Sequence, residues 1–96
     1  MNIKGGTIRL DVANIYYIES QGHNLIFHTA SGAHEARGTM QEAEQKLCGM
    51  NFFRGNKGYL INLAHVDGVC DGCAIVRGES LLLSRARKKE FMEAMT

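Results

Sequence analysis

Short apolar runs punctuated by glycine, asparagine and serine fill the first forty residues, and similar runs return after residue 50. Thr7-Ile8-Arg9-Leu10, Ile15-Tyr16-Tyr17-Ile18-Glu19, Asn24-Leu25-Ile26-Phe27-His28-Thr29 and Ala33-His34-Glu35-Ala36 are rich in β-branched and aromatic residues, which predicts four consecutive strands. Gly22 and Gly32 fall between the later runs, where hairpin turns call for positive φ. The period then changes. Thr39-Met40-Gln41-Glu42 is a T-x-x-E capping box, in which the threonine hydroxyl and the glutamate satisfy each other's backbone donors. Met40, Ala43 and Leu47 follow at helical spacing with Cys48 beside them, and Gly49 is placed to end the helix. A short amphipathic helix covering one mouth of a sheet is expected, with Glu42, Glu44 and Lys46 as a mixed-charge outer face.

Strands resume over 51–53 and 59–61, then over 66–70 and 73–76 on either side of Asp71-Gly72, a strong two-residue hairpin signal. Residues 77–80 turn the chain into a last strand over 81–83. Ser84 is a good N-cap for a closing helix of about ten residues, with Phe91, Met92 and Met95 as its apolar face. The fold class is therefore mainly β, with small antiparallel sheets and two short α-helices.

Composition narrows the class. Ninety-six residues, 45% hydrophobic and 22% charged, suit one globular domain over 1–96. No apolar run reaches the length of a membrane helix, and the N-terminus lacks the apolar core of a secretory signal, so a cytoplasmic, membrane-free protein is expected. The net charge of +1 gives no general argument for nucleic acid, but its distribution does. Residues 51–96 carry seven Lys/Arg against five acids, and Arg85, Arg87, Lys88 and Lys89 crowd together.

That crowding contradicts helix stability. The start of a helix already carries about half a positive charge, so cations there are unfavourable unless an anion arrives. A phosphate reverses the sign, because backbone N–H groups, the dipole and guanidinium groups attract it together. Arg54-Gly55-Asn56-Lys57 forms a second basic stretch. Asn56 reads either as a base-reading amide or as a turn residue, and Arg54 either as a contact or as half of an ion pair. Gln21-Gly22-His23-Asn24 is a third polar tip. No phosphate-binding G-x-x-x-x-G-K-[ST] loop is present, which favours a nucleic-acid backbone over a nucleotide.

Cys70-Asp71-Gly72-Cys73 reads as two small residues flanking a turn, close enough across the ladder for a reversible disulfide, or as half a zinc site. A zinc site would need Cys48, His65 or His34 to converge on it. His28 and His34 are expected to face each other across the Ser31-Gly32 turn. Ser84 has no acid or oxyanion partner in view, so no active site, cofactor or metal is assigned and the chain reads as a non-enzyme.

Phe52-Phe53-Arg54-Gly55-Asn56-Lys57-Gly58-Tyr59-Leu60-Ile61-Asn62 resembles the F-x-R-x-H-R-S-Y-[IL]-V-N segment of the LytTR family, DNA-binding output domains of bacterial response regulators. Leu82-Leu83-Ser84-Arg85-Ala86-Arg87-Lys88-Lys89-Glu90-Phe91 is similar to that family's closing strand, serine and basic helix. The resemblance covers roughly residues 5–95. It implies a LytTR-like fold that binds double-stranded DNA through loops, with no helix lying in the major groove. Carried over by position, the contacts fall on His23, on Asn56 and Lys57, and on the stretch beginning at Arg85, so the expected DNA-binding residues are His23 with Asn24, Asn56 with Lys57, and Arg85, Arg87 and Lys88. It also implies a bacterial transcription regulator, copies paired on repeated sites, and a receiver or sensor partner outside this chain. Several positions depart from the pattern. Asn56, Lys57 and Gly58 replace His, Arg and Ser, and the family's arginine two residues beyond the serine matches Ala86, flanked by Arg85 and Arg87. The competing readings are a protein-interaction module and a thiol- or zinc-responsive regulator using Cys70/Cys73.

Overall fold

The computed structural model describes residues 2–3, 6–7 and 10–95. Strands β1 (Asn2–Ile3) and β2 (Gly6–Thr7) form a two-residue ladder. Of the strand expected over 7–10, Ile8 and Arg9 lie outside the described residues, and Leu10 is not in a strand. Strands β3 (Ile15–Gln21), β4 (Asn24–Thr29) and β5 (Gly32–Arg37) are followed by α1 (Met40–Lys46). Then come β6 (Phe52–Asn56), β7 (Tyr59–Asn62), β8 (Val66–Cys70), β9 (Cys73–Val76), β10 (Glu79–Leu82) and α2 (Arg85–Met95).

Five strands make one antiparallel sheet in the order β5-β4-β3-β7-β6, and three make a second in the order β10-β9-β8. The larger sheet is buried on both faces. On one face Ile15, Ile18, Leu25, Phe27, Ala36 and Leu60 pack with Met40, Ala43 and Leu47 from the α1 segment. On the other, Tyr17 and Ile61 pack with Ala74, Val76, Leu81, Leu83 and Phe91 from the smaller sheet and α2. Leu60 and Ile61, neighbours on β7, are both buried because that strand runs between the two cores. Ile15 and Ile18 share a face despite their odd spacing. A bulge at Tyr16 inserts one residue into the ladder and restores the phase.

The α1 capping box forms as expected, with the Thr39 hydroxyl accepting from Glu42 N–H and the Glu42 carboxylate from Thr39 N–H. The helix lies on a sheet face rather than over a mouth, because its apolar residues meet four strands of one side. A second recurring device is the Asx-capped 3-10 turn. Asp11 caps Val12–Asn14 before β3, and Asn62 caps Leu63–His65 before β8. Asn62 is buried, and its amide also donates to the Ile15 carbonyl at 2.9 Å, tying the end of β7 to the start of β3.

Three further elements differ from the pattern-based expectation. The basic stretch after Phe53 is not a loop, since β6 runs to Asn56 and only Lys57-Gly58 turn. Arg77-Gly78 alone make the last hairpin turn, both at positive φ (51° and 88°), so β10 begins at Glu79 and ends at Leu82. On α2 only Phe91 is buried, while Met92 and Met95 are exposed. The helix is held by one aromatic anchor, which meets Phe53 edge-on at 5.5 Å between ring centroids.

Candidate nucleic-acid interface

Antiparallel register decides which turns share an end of the fold. Because Glu19 pairs with Tyr59, the β3–β4 turn (Gly22-His23) and the β6–β7 turn (Lys57-Gly58) lie at the same end of the large sheet. The Ser20 N–H donates to the Gly58 carbonyl at 2.9 Å and joins them. The start of α2 is brought there by Gly55. Its carbonyl accepts from Ser84 N–H at 2.8 Å. A Cβ on Gly55 would stand 2.7 Å from Ile61 Cδ1 and 3.1 Å from Leu83 Cδ2, so β6 approaches the β10–α2 junction as closely as a missing side chain permits. The three polar segments picked out in the chain are therefore neighbours in space.

Within this end, side chains divide into braces and free groups. Arg54 is a brace. Its Nη1 donates to Glu44 of α1 at 3.0 Å, its Nε to the Asn56 carbonyl and its Nη2 to the Lys57 carbonyl, both at 3.1 Å. Asn56 is a brace as well. Its Oδ1 accepts from Gly58 N–H and its Nδ2 donates to the Leu82 carbonyl, each at 2.6 Å, fastening the β6–β7 turn to the last strand. Both ends of the amide that would read adenine bidentately thus also hold the turn, each keeping one further donor or acceptor. Asn24 is half-buried, and its amide donates to Glu35 at 3.1 Å.

His23, Lys57, Arg85, Arg87 and Lys88 are all exposed. None of the four Lys and Arg side chains has an ion-pair partner among the described residues. Gly22, at φ 62°, leads the His23 turn in the pattern of a type II′ turn, which wants glycine first. Ser84 acts as the N-cap residue of α2, its carbonyl accepting from Arg87 and Lys88 N–H at 3.0 Å. No acidic residue lies in the first turn of α2. Dipole and side chains there add to one positive field.

Sequence reasoning passed over Arg37. It is exposed at the end of β5, opposite Asn24 in register, beside the His23 turn. Its only signal in the chain is a lone arginine between the fourth predicted strand and the capping box.

The cysteine and histidine expectations fare differently. Cys70 and Cys73 are register partners across Asp71-Gly72, both turn residues at positive φ, and both thiols are free. The further zinc ligands do not converge on them. His65 bonds the Ala13 carbonyl, His34 bonds Ser31, and no group of three metal-competent side chains exists among the described residues. His28 and His34 do not face each other either. His28 pairs with Ala33 and His34 with Phe27, which places the two rings on opposite faces. His28 instead meets Glu19 at 3.0 Å and stacks on Tyr17 at 4.2 Å.

Comparison with known proteins agrees with this geometry. The family model for the LytTr DNA-binding domain matches residues 5–96. A solved structure, the LytTr domain of a Bacillus cereus protein described as a methyl-accepting/DNA response regulator, superposes with a TM-score of 0.83. That alignment covers 98% of this chain and 92% of the other at 16% identity, which shows a common fold. Over 57 residues the chain is 35% identical to the CO-responsive transcriptional regulator RcoM of Rhodospirillum rubrum. The match spans 59% of this chain and 24% of the relative's length. With the family model covering nearly the whole sequence and the basic turns gathered at one end, the chain belongs to the LytTR family of DNA-binding domains.

Proposed function

We propose that this domain recognises specific duplex DNA sequences and serves as the output module of a bacterial transcription regulator, controlled by a receiver or sensor segment outside this chain. The observation that carries the reading is the gathering of three polar segments at one end of the sheet, where Lys57, Arg85, Arg87 and Lys88 have no ion-pair partner among the described residues. In this reading Arg85, Arg87 and Lys88 hold phosphates at the start of α2. Lys57 holds another at the β6–β7 turn, and His23, with Asn24 behind it, enters the adjacent groove. Asn56 and Arg54 keep the Lys57 turn in place. Copies of the domain pair on repeated sites, and the work is done in the cytoplasm. No described helix is long and apolar enough to cross a membrane.

Four phosphate contacts correspond to a slope of about −3.6 in log K against log salt. The test is selection of bound duplexes from a random library at moderate salt with reductant present, followed by sequencing. Enrichment of one motif, above all a repeated one, supports the reading. Binding with the expected salt slope but no enriched motif would leave backbone contacts alone and remove sequence specificity. Retention of no DNA by folded protein would overturn the proposal in favour of a protein-interaction module. Charge reversal at Arg85 and Arg87 should abolish DNA binding, whereas pairing of an exposed strand with a protein partner would survive it.

A further inference from the structure

We infer that Arg37 is a phosphate contact on the opposite side of the His23 turn from Lys57, so that the domain grips both walls of the groove His23 enters. The inference rests on the DNA-binding reading above and extends its surface across the full width of the large sheet.

Three observations place Arg37 in that role. Its backbone is fixed at the same end as the other contacts. Asn24 and Arg37 are register partners, and the next residue, Gly38, donates its N–H to the His23 carbonyl at 3.2 Å. Its side chain leaves on the right face. Ala36 is buried against the α1 core, so Arg37 projects from the opposite face, the side on which α2 and the smaller sheet pack. Its charge is unspent. Arg37 is exposed and has no ion-pair partner among the described residues. The carboxylates close to it in the chain are engaged, Glu35 by the Asn24 amide and Glu42 by the Thr39 cap.

The spacing suits a duplex. Neighbouring strands lie about 4.8 Å apart. Arg37 sits on the edge strand β5, the His23 turn between β4 and β3, and the Lys57 turn between β7 and β6. Counting strand steps puts Arg37 roughly 7 Å to one side of His23, Lys57 about 10 Å to the other, and the two cations about 17 Å apart. A major groove is about 12 Å wide, so a duplex that receives His23 in its groove presents one phosphate row to each cation. Arg54, the other arginine of this sheet, faces α1 and is tied to Glu44, which leaves Arg37 as the sheet's arginine without an ion-pair partner among the described residues.

The test compares wild type, Arg37→Ala, Arg37→Lys and Lys57→Ala on one duplex over a salt series, using an oligonucleotide from the library selection. Arg37→Ala should bind more weakly across different sequences alike, and its salt slope should be shallower by about 0.9, a loss of roughly threefold in salt sensitivity between 50 and 200 mM. Arg37→Lys should keep the slope, because the charge remains. If Arg37→Ala matches wild type in affinity and slope while Lys57→Ala weakens binding, Arg37 is not a contact and the DNA-binding reading stands. If wild type binds no duplex, both fall. Unchanged circular dichroism and melting of Arg37→Ala confirm that a lost slope reports DNA contact rather than misfolding.

Discussion

Gly55 is the position where fold and interface depend on the same cubic ångströms. Gly55→Ala adds a methyl carbon 2.7 Å from Ile61 Cδ1 and 3.1 Å from Leu83 Cδ2. Carbon atoms sit best at about 3.5–4.0 Å, so the neighbours must retreat by roughly 0.5–1 Å. Both are buried in the core beneath α2, where Ile61 is fully inaccessible. Overpacking of this kind costs about 1–3 kcal/mol. For a domain of this size about 2 kcal/mol lowers Tm by roughly 8–16 °C. The same retreat pushes Leu83 and Ser84 away from β6 and strains the Ser84–Gly55 hydrogen bond that seats α2. DNA affinity should therefore fall even at temperatures where the variant is folded. The assay is a double-mutant cycle in urea unfolding. Ile61→Val deletes the Cδ1 atom in closest conflict and alone costs about 0.5–1.5 kcal/mol. In the Gly55→Ala background it should cost less or be stabilising, with a coupling above about 0.5 kcal/mol. Strict additivity of the two changes, or a Gly55→Ala protein as stable as wild type, would refute the steric account.

Three further outcomes are expected. Arg54→Ala removes a part-buried guanidinium that joins Glu44 to the Asn56 and Lys57 carbonyls, so it should cost about 1–2 kcal/mol and weaken DNA binding by loosening the Lys57 turn. Glu44→Gln, which leaves the two carbonyl bonds in place, should do less on both counts, and equal effects would argue against the brace. Thr39→Ala breaks the α1 capping box and should lower stability by about 1 kcal/mol, with Thr39→Ser close to wild type in the urea midpoint. The Tyr17 phenol is pushed up to about 12, first by burial and then by Glu19, Glu79 and Tyr59. An unfolded tyrosine ionises near 10, so the unfolded chain loses this proton first. The corresponding stability is intact below about pH 10 and lost as pH rises from there towards 12. Tyr17→Phe should flatten that alkaline decline, and unfolding curves between pH 9 and 11 that remain parallel for the two proteins would count against it.

Local chemistry alone determined much of this protein. The capping box at Thr39-Glu42, the Asp71-Gly72 turn and the positive-φ glycines at 22 and 32 are satisfied within a few residues, so they were readable without any tertiary contact. The strand runs were readable for the same reason, and the ordered motifs of the basic turn and closing helix were enough to suggest the family. What the sequence could not separate was a cation that contacts DNA from one that braces the fold. Arg54 and Lys57 are three residues apart in the same basic stretch, yet Arg54 is consumed by Glu44 and two carbonyls while Lys57 is exposed with no ion-pair partner among the described residues. Asn56, open in the sequence between reader and turn residue, ties the turn to the last strand because the Leu82 carbonyl, 26 residues on, comes within 2.6 Å of it. Arg37 gained its place only through register with Asn24, and His28 and His34 lost their supposed meeting through the same alternation. Non-local pairing sets these outcomes. A side chain's face depends on strand register and bulges, and its freedom depends on which distant donor or acceptor reaches it first.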